Sequence, residues 1–457
     1  MSAASAASAS SAAEAAGHAV IFGLDPLWLS TGILIVSYAV LLSEKVNRTV
    51  VALLGGGLVI VTGVISQKQA FAGIDFNTIA LLTGMMIIVA ITRVSGVFEY
   101  VAIWSAKKVN ADPIGILIVL SVVTAVFSAF LDNLTTVLLV VPIALLIVEK
   151  LRVSPYPFLY SQILASNVGG TATLIGDPPN ILIGSATGLT FVQFLFELGP
   201  VVVVIMIIMV PIFWWLWGKE LVATDERRDS IMRFREADSI TDKRLLVKSL
   251  TVLALVIMGF IIGEHYHIRP GTTAMFGAAV LLLVTIIGEE AQGQAERLHE
   301  AFIEVEWSAL FFFIGLFVIV AGVEHAGLLN ILGDALMDFT GGDAALTSYA
   351  TLWLSAVVSA AVDNIPFVAT MIPLVESMEG AIGGAEALEP VWWSLALGAC
   401  LGGNGSLIGA AANVMVSGLG ERAGYPISFA KFLKVGVPFM LLTVAIAHVY
   451  MYLRHFM

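Results

Sequence analysis

Apolar residues fall in blocks close to the roughly 17 to 25 residues that a membrane-spanning helix needs, and such blocks recur along almost the whole chain. Leu27 to Leu42, Thr49 to Ile65, Ser249 to Gly263, Gly271 to Gly288 and Trp307 to Val323 are examples. The pattern predicts an all-α polytopic membrane protein. One block departs from it. The stretch GGTATLIGDPPNILIG, residues 169 to 184, is apolar enough to lie in a membrane, yet it holds an acid, two adjacent prolines and an asparagine. Lipid supplies no partners for broken backbone hydrogen bonds, so such a break has to be buried in protein or line a polar cavity.

The break has a twin. GGTATLIGDPPN (169 to 180) matches GGNGSLIGAAAN (402 to 413) at an offset of 233. Upstream, SAFLDNLTTVLLVVP (128 to 142) and SAAVDNIPFVATMIP (359 to 373) align without gaps at an offset of 231, as do Gly84 and Gly96 with Gly315 and Gly327. Two homologous transmembrane repeats follow, residues 27–217 and 246–457, joined by a charged linker at 218–245. Residues 1–26 read as a flexible Ala/Ser-rich tail, since they lack the basic start of a signal peptide.

If each Asp-Asn segment is the tip of a re-entrant hairpin, each half crosses the membrane five times, and an odd number of crossings inverts the second half. Charge agrees with this topology. Residues 218 to 248 carry eight Lys/Arg and seven Asp/Glu, and the positive-inside rule places them in the cytoplasm. Lys45, Arg48, Lys107, Lys108, Lys150 and Arg152 fall on the same side, while 298 to 421 contain no Lys or Arg. Residues 289 to 306 fit less well, with six glutamates against Arg297, but acids influence orientation little. Both termini are then expected outside the cell (inner) membrane.

Composition adds mainly exclusions. The chain of 457 residues is 59% hydrophobic and 12% charged, with a mean hydropathy of +0.96, which leaves no room for a separate soluble domain. A single cysteine, Cys400, rules out an internal disulfide framework and a multi-cysteine metal site. There is no Gly-rich phosphate loop with its Lys, no Gly-x-Ser-x-Gly and no His-Glu-x-x-His, so neither an ATPase nor a hydrolase is expected. No cofactor, metal or nucleic-acid partner is expected either.

Inverted repeats with interrupted helices are the architecture of secondary transporters, which bind substrate and coupling ions where the breaks face each other. Pro178 and Pro179 remove backbone donors at the first break, and Gly176 and Gly409 let unwound backbone approach closely. Asp132, Asp177 and Asp363 would each cost about 2.5 to 3.5 kcal/mol at the centre of a membrane helix. Their polar companions are Asn133, Asn364, Asn180, Asn413, Thr171, Thr173, Asn404 and Ser406. Each of these residues has a structural alternative, capping a broken helix or satisfying its backbone. No Lys or Arg lies within the four motifs. Such a site repels a dicarboxylate or citrate unless protons or metal cations bind too, and suits a cation, a proton or a neutral polyhydroxyl solute. Cys400 stands beside the second break, where it could touch a thiophilic solute or serve as a small packing residue.

GGTATLIGDPPN, VDNIPFVATMIPL, LGACLGGNGSLIGAAANV and VEWSALFFFIGLFV closely resemble the ion transporter superfamily, in the branch of arsenite permeases, the melanosomal P-protein and sodium/proton antiporters of the NhaD kind. The resemblance covers about residues 27 to 455. It implies two inverted repeats, each with a re-entrant hairpin and a broken helix, and dimers are common in the superfamily. It also implies that Asp132-Asn133 and Asp363-Asn364 occupy hairpin tips, with Gly176 to Asn180 and Gly409 to Asn413 in the broken helices. Dicarboxylate-transporting relatives carry Ser-Asn-Thr at those tips, where this chain has Asp-Asn.

The expected function is secondary active transport by alternating access, proton-coupled efflux of arsenite or antimonite. A sodium/proton antiporter and a P-protein-like anion transporter or channel remain the alternatives. The expected partners are the lipid bilayer, a small ion or neutral oxyacid with protons or sodium, and a second copy of the chain.

Overall fold

The computed structural model describes residues 20–43 and 45–457, without the side chain of Phe22. Residues 1–19 of the expected tail lie outside the described residues. Among the described residues the chain is helical, with no strand. The main helices of the first half are α1 (Pro26–Ser43), α2 (Arg48–Val61), α3 (Phe76–Val94), α4 (Val97–Lys108), α5 (Pro113–Phe130), α6 (Asn133–Leu151), α7 (Tyr156–Gly170), α8 (Pro178–Thr187) and α9 (Phe191–Trp217). The second half repeats the order, with α12 standing where the first half has the short helix Gln67–Ala72: α10 (Lys243–Gly263), α11 (Pro270–Ile286), α12 (Ala291–Ile303), α13 (Trp307–His325), α14 (Leu328–Thr340), α15 (Ala344–Ala361), α16 (Asn364–Ser377), α17 (Ala385–Gly402), α18 (Ala411–Arg422) and α19 (Phe429–Met451).

Nine of the described helices are long and apolar enough to cross a membrane. Helices α2 and α11 are shorter apolar segments at matching places in the two halves. The pairs α5/α6 and α15/α16 form the hairpins, and α7/α8 and α17/α18 are the interrupted helices. The fold is therefore an all-α polytopic one, of two inverted repeats with five crossings each. Large apolar side chains such as Trp28, Ile35, Phe196, Ile207, Trp215 and Phe276 remain exposed, as expected where the neighbouring medium is hydrocarbon rather than water.

Contacts divide the chain into two compact units. One contains the described residues up to Asp75 together with Trp307–Asp334, the other Phe76–Glu306 and Ala335–Met457. In the first, α2 packs on α13 so closely that a Cβ at Gly315 would lie 2.4 to 2.6 Å from the Ala52–Leu53 backbone. In the second, the repeat-equivalent Gly84 meets the Ala274–Met275 backbone on α11 at 2.5 to 2.7 Å. Small residues at both places let helices touch backbone to backbone, which is how helices associate where lipid removes any hydrophobic drive. The duplicated glycines read from the sequence mark one packing solution used twice.

The linker is tied down by polar contacts. Lys107 at the end of α4 donates to the Glu236 carboxylate at 2.6 Å and to the Phe234 carbonyl at 3.0 Å. Asp242 caps α10, accepting from the backbone N–H groups of Arg244 and Leu245 at 2.8 and 3.1 Å. The hydrogen bond from Lys107 holds the Glu236 carboxyl below the usual glutamate range. The stabilisation it gives is therefore present above that range and fades as pH falls through it. Limited proteolysis of the 218–242 segment is expected to quicken at acid pH. Glu236→Gln should reproduce the faster cleavage at neutral pH; equal cleavage rates for the two proteins would show that this contact does not anchor the linker.

Candidate functional site

The two hairpins and two interrupted helices that carry the candidate residues all belong to the second unit. Hairpin and break are joined the same way in each half. The Ser128 hydroxyl donates to the Ser166 carbonyl at 2.6 Å, and its counterpart Ser359 donates to Ala399 at 2.6 Å. A Cβ on Gly176 would fall 2.5 Å from the Gly170 carbonyl oxygen and 2.7 Å from that of Ser128. On Gly409 it would fall 2.7 and 3.0 Å from the oxygens of Gly403 and Ser359. Only glycine fits either contact.

The unwound segments do not leave all their carbonyls open. Asn180 Nδ2 donates to the carbonyls of Thr171 and Thr173 at 3.1 and 2.9 Å. Its twin Asn413 donates to Gly403 and Ser406 at 2.7 and 2.8 Å. Each terminal asparagine thus staples its own break. Thr171 and Thr173 return hydroxyl bonds to the backbone at Asn167 and Ala129, and Ser406 accepts from the Ile408 N–H at 3.2 Å. Pro178 and Pro179 occupy the first turn of α8 rather than a helix interior, a place where a missing N–H costs little.

The three acids are not equivalent. Asp132 caps α6, accepting from the Thr135 N–H at 2.7 Å and its hydroxyl at 2.6 Å. Asp363 caps α16 through the Ile365 N–H at 3.1 Å. The tips differ in backbone: Asp132 has φ 149° and Asp363 has φ −48°. Asp177 begins α8 without making a side-chain cap. It is fully buried, and its carboxylate accepts from Asn364 Nδ2, on the opposite hairpin tip, at 3.3 and 3.4 Å.

An amide cluster completes the arrangement. Asn133 Nδ2 donates to Asn167 Oδ1 at 3.3 Å, and Asn167 Nδ2 donates to Asn404 Oδ1 at 3.0 Å and Asn413 Oδ1 at 2.8 Å. Asn404 Nδ2 is buried and has no partner. Asn167 was not among the residues selected from the sequence. Its signal was an amide in an apolar helix two residues before the Gly-Gly of the break, outside the part of the motif that repeats.

The structure therefore pairs Asp177 with Asn364 and gathers Asn133, Asn167, Asn404 and Asn413 into a separate buried amide cluster, with Asn180 bonded to the backbone of its own break, while the Asp132 and Asp363 carboxylates serve the helix ends. A cavity of about 740 Å³ lies elsewhere in the same unit, between Arg93, Leu139, Pro142, Lys248 and Glu304. None of the residues of either group lines it, although α6, which starts at Asn133, forms one wall. One group holds a buried acid, the other an amide donor without a partner, Asn404 Nδ2.

Comparison with known proteins agrees with this architecture. The CitMHS family, described as citrate transporters, matches residues 38–398. An uncharacterized transporter of Mycobacterium tuberculosis is 42% identical over 428 residues, 93% of this chain and 97% of the relative. The human P protein is 30% identical over 508 residues, and the match covers 93% of this chain and 60% of that one. The crystal structure of the Alcanivorax borkumensis YdaH transporter superposes with a TM-score of 0.61 at 12% identity, covering 94% of this chain and 98% of that one; this likeness concerns the fold alone. The matching family, the mycobacterial relative and the YdaH protein are all described as transporters. A multi-pass helical chain with paired hairpins and paired breaks, matched over most of its length, is a secondary transporter belonging to the CitMHS citrate transporter family.

Proposed function

We propose that the protein exports a small uncharged oxyacid, arsenite or antimonite, across the cell (inner) membrane in exchange for protons. The observation that carries this reading is Asp177: a fully buried carboxylate without a cap, bonded to the Asn364 amide, with no Lys or Arg in the four motifs. Burying such a charge is costly unless a proton or cation joins it for part of the cycle. Asn404, Asn413, Asn133 and Asn364 supply donors and acceptors for the hydroxyl groups of the solute, and Asp177 carries the counter-proton. Asp132 and Asp363 set the tips that close over the site, with Thr171, Thr173, Asn180 and Ser406 shaping its walls. The charge pattern supports a cytoplasmic linker and external termini, and two copies form a dimer in this reading.

Citrate is the second reading, favoured by the description of the matching family. With acids and no basic side chain in the four motifs, citrate would have to enter neutralised by protons or a divalent cation. Inverted proteoliposomes separate the two. Arsenite uptake driven by an imposed pH gradient and abolished by its collapse is expected. Citrate uptake that appears only with magnesium would replace the first reading with the second. A sodium pulse that discharges the gradient without arsenite would indicate sodium/proton antiport, and single-channel currents far above carrier turnover would indicate an anion channel.

A further inference from the structure

The repeat offset of 233 that aligns the two breaks places Asn167 opposite Cys400, Thr171 opposite Asn404, and Asn180 opposite Asn413. The contacts obey the same correspondence, crossed between the halves. Asn167 reaches Asn404 and Asn413. Cys400 Sγ donates to Asn180 Oδ1 at 3.4 Å, and Thr171 is a neighbour of the thiol. Two mirrored junctions therefore join the interrupted helices. One is built from three amides; the other is built from a thiol, a hydroxyl and an amide.

The weaker junction is the one beside the acid. The Cys400 thiol also lies within hydrogen-bonding reach of Asp177, whose repeat partner Ala410 carries no charge. An amide at 400 would have two N–H donors and could bridge Asn180 and the Asp177 carboxylate, as Asn167 bridges Asn404 and Asn413. A thiol is a poor donor and leaves the carboxylate with the long Asn364 contacts.

We propose that Cys400 is a positioning residue for Asp177: by standing where the symmetry of the fold would place an amide, it leaves the acid under-solvated and free to take up a proton. The inference rests on the reading that Asp177 exchanges protons. It does not depend on which solute is carried. The titratable groups near Asp177 are Cys400, Asp363 and Asp132; of these the two aspartates are occupied as helix caps.

The test follows the Asp177 carboxyl itself. Infrared difference spectra of the purified protein in lipid, recorded across pH, show the carbonyl stretch of a protonated acid, and the band absent from Asp177→Asn is that of Asp177. In Cys400→Asn, a strong new donor favours the ionised form, so the midpoint at which the band disappears is expected to move to lower pH by about one unit, the size of one charge-assisted hydrogen bond. Cys400→Val, which adds bulk without a donor, should not move it downward. Cys400→Ser, with a near-isosteric hydroxyl, should move it in the same direction as asparagine by a smaller amount, and it serves if the asparagine variant does not fold. Equal midpoints in the serine and valine variants would overturn the proposal. No pH-driven arsenite flux in the parent protein, with the expected midpoint shift intact, would instead count against the transport reading alone.

Discussion

Asp177→Asn is expected to reduce pH-gradient-driven flux by at least about 100-fold, the scale of losing a group that carries a proton, while leaving the protein folded. The side chain makes no cap that folding needs, and a neutral isostere of a buried carboxylate removes a desolvation cost. The melting temperature of the purified variant should therefore equal or exceed that of the parent. Asp132→Asn and Asp363→Asn keep a capping acceptor, since asparagine caps helices about as well as aspartate, and should lower flux less. The measurement is solute uptake into proteoliposomes under a set pH gradient, beside a thermal melt of each variant. Coupled flux surviving in Asp177→Asn would remove that residue from the mechanism.

The second large effect is expected from a single methyl group. A Cβ at Gly169 would lie 2.2 to 2.6 Å from the oxygen, Cα and carbonyl carbon of Ala125. Here α7 presses on the first arm of its hairpin, and neither backbone can yield without moving the break. Gly169→Ala should cost about 3 kcal/mol or more, the upper end of the range for overpacking. The equivalent Gly402 meets Ala356 at 2.6 to 3.0 Å, so Gly402→Ala should be damaging but less so. Gly380→Ala, with open space around the new atom, is the control. Fluorescence-detected size exclusion after a heat series reads all three, and a Gly169→Ala protein as stable as the control would contradict the packing described.

Much of this was legible in the sequence because duplication leaves text behind. The two Asp-Asn tips and two Gly-Gly breaks could be aligned directly, and helix-breaking residues in an apolar block have few meanings in a membrane. The distinction among the acids was not legible. Whether an aspartate caps a helix or stays free depends on where the next N–H groups point; two identical Asp-Asn tips adopt different backbone angles, and the acid of the break makes no cap at all. Asn167 escaped notice for a related reason. Two of its partners lie 237 and 246 residues away, in the break of the other half and on the helix that follows it, and local periodicity carries no trace of such a crossing. Cys400 stands among small residues, and nothing local to it signals its contact with Asn180, 220 residues away.

Asp132 keeps a backbone conformation open chiefly to glycine, at an expense of order 1 to 3 kcal/mol, whereas its counterpart sits relaxed. Two hairpin tips cut from one duplicated plan thus rest under unequal tension. With no gradient applied, molecules caught open to one side of the bilayer should outnumber those open to the other, and the same driving force should move cargo at different speeds in the two directions.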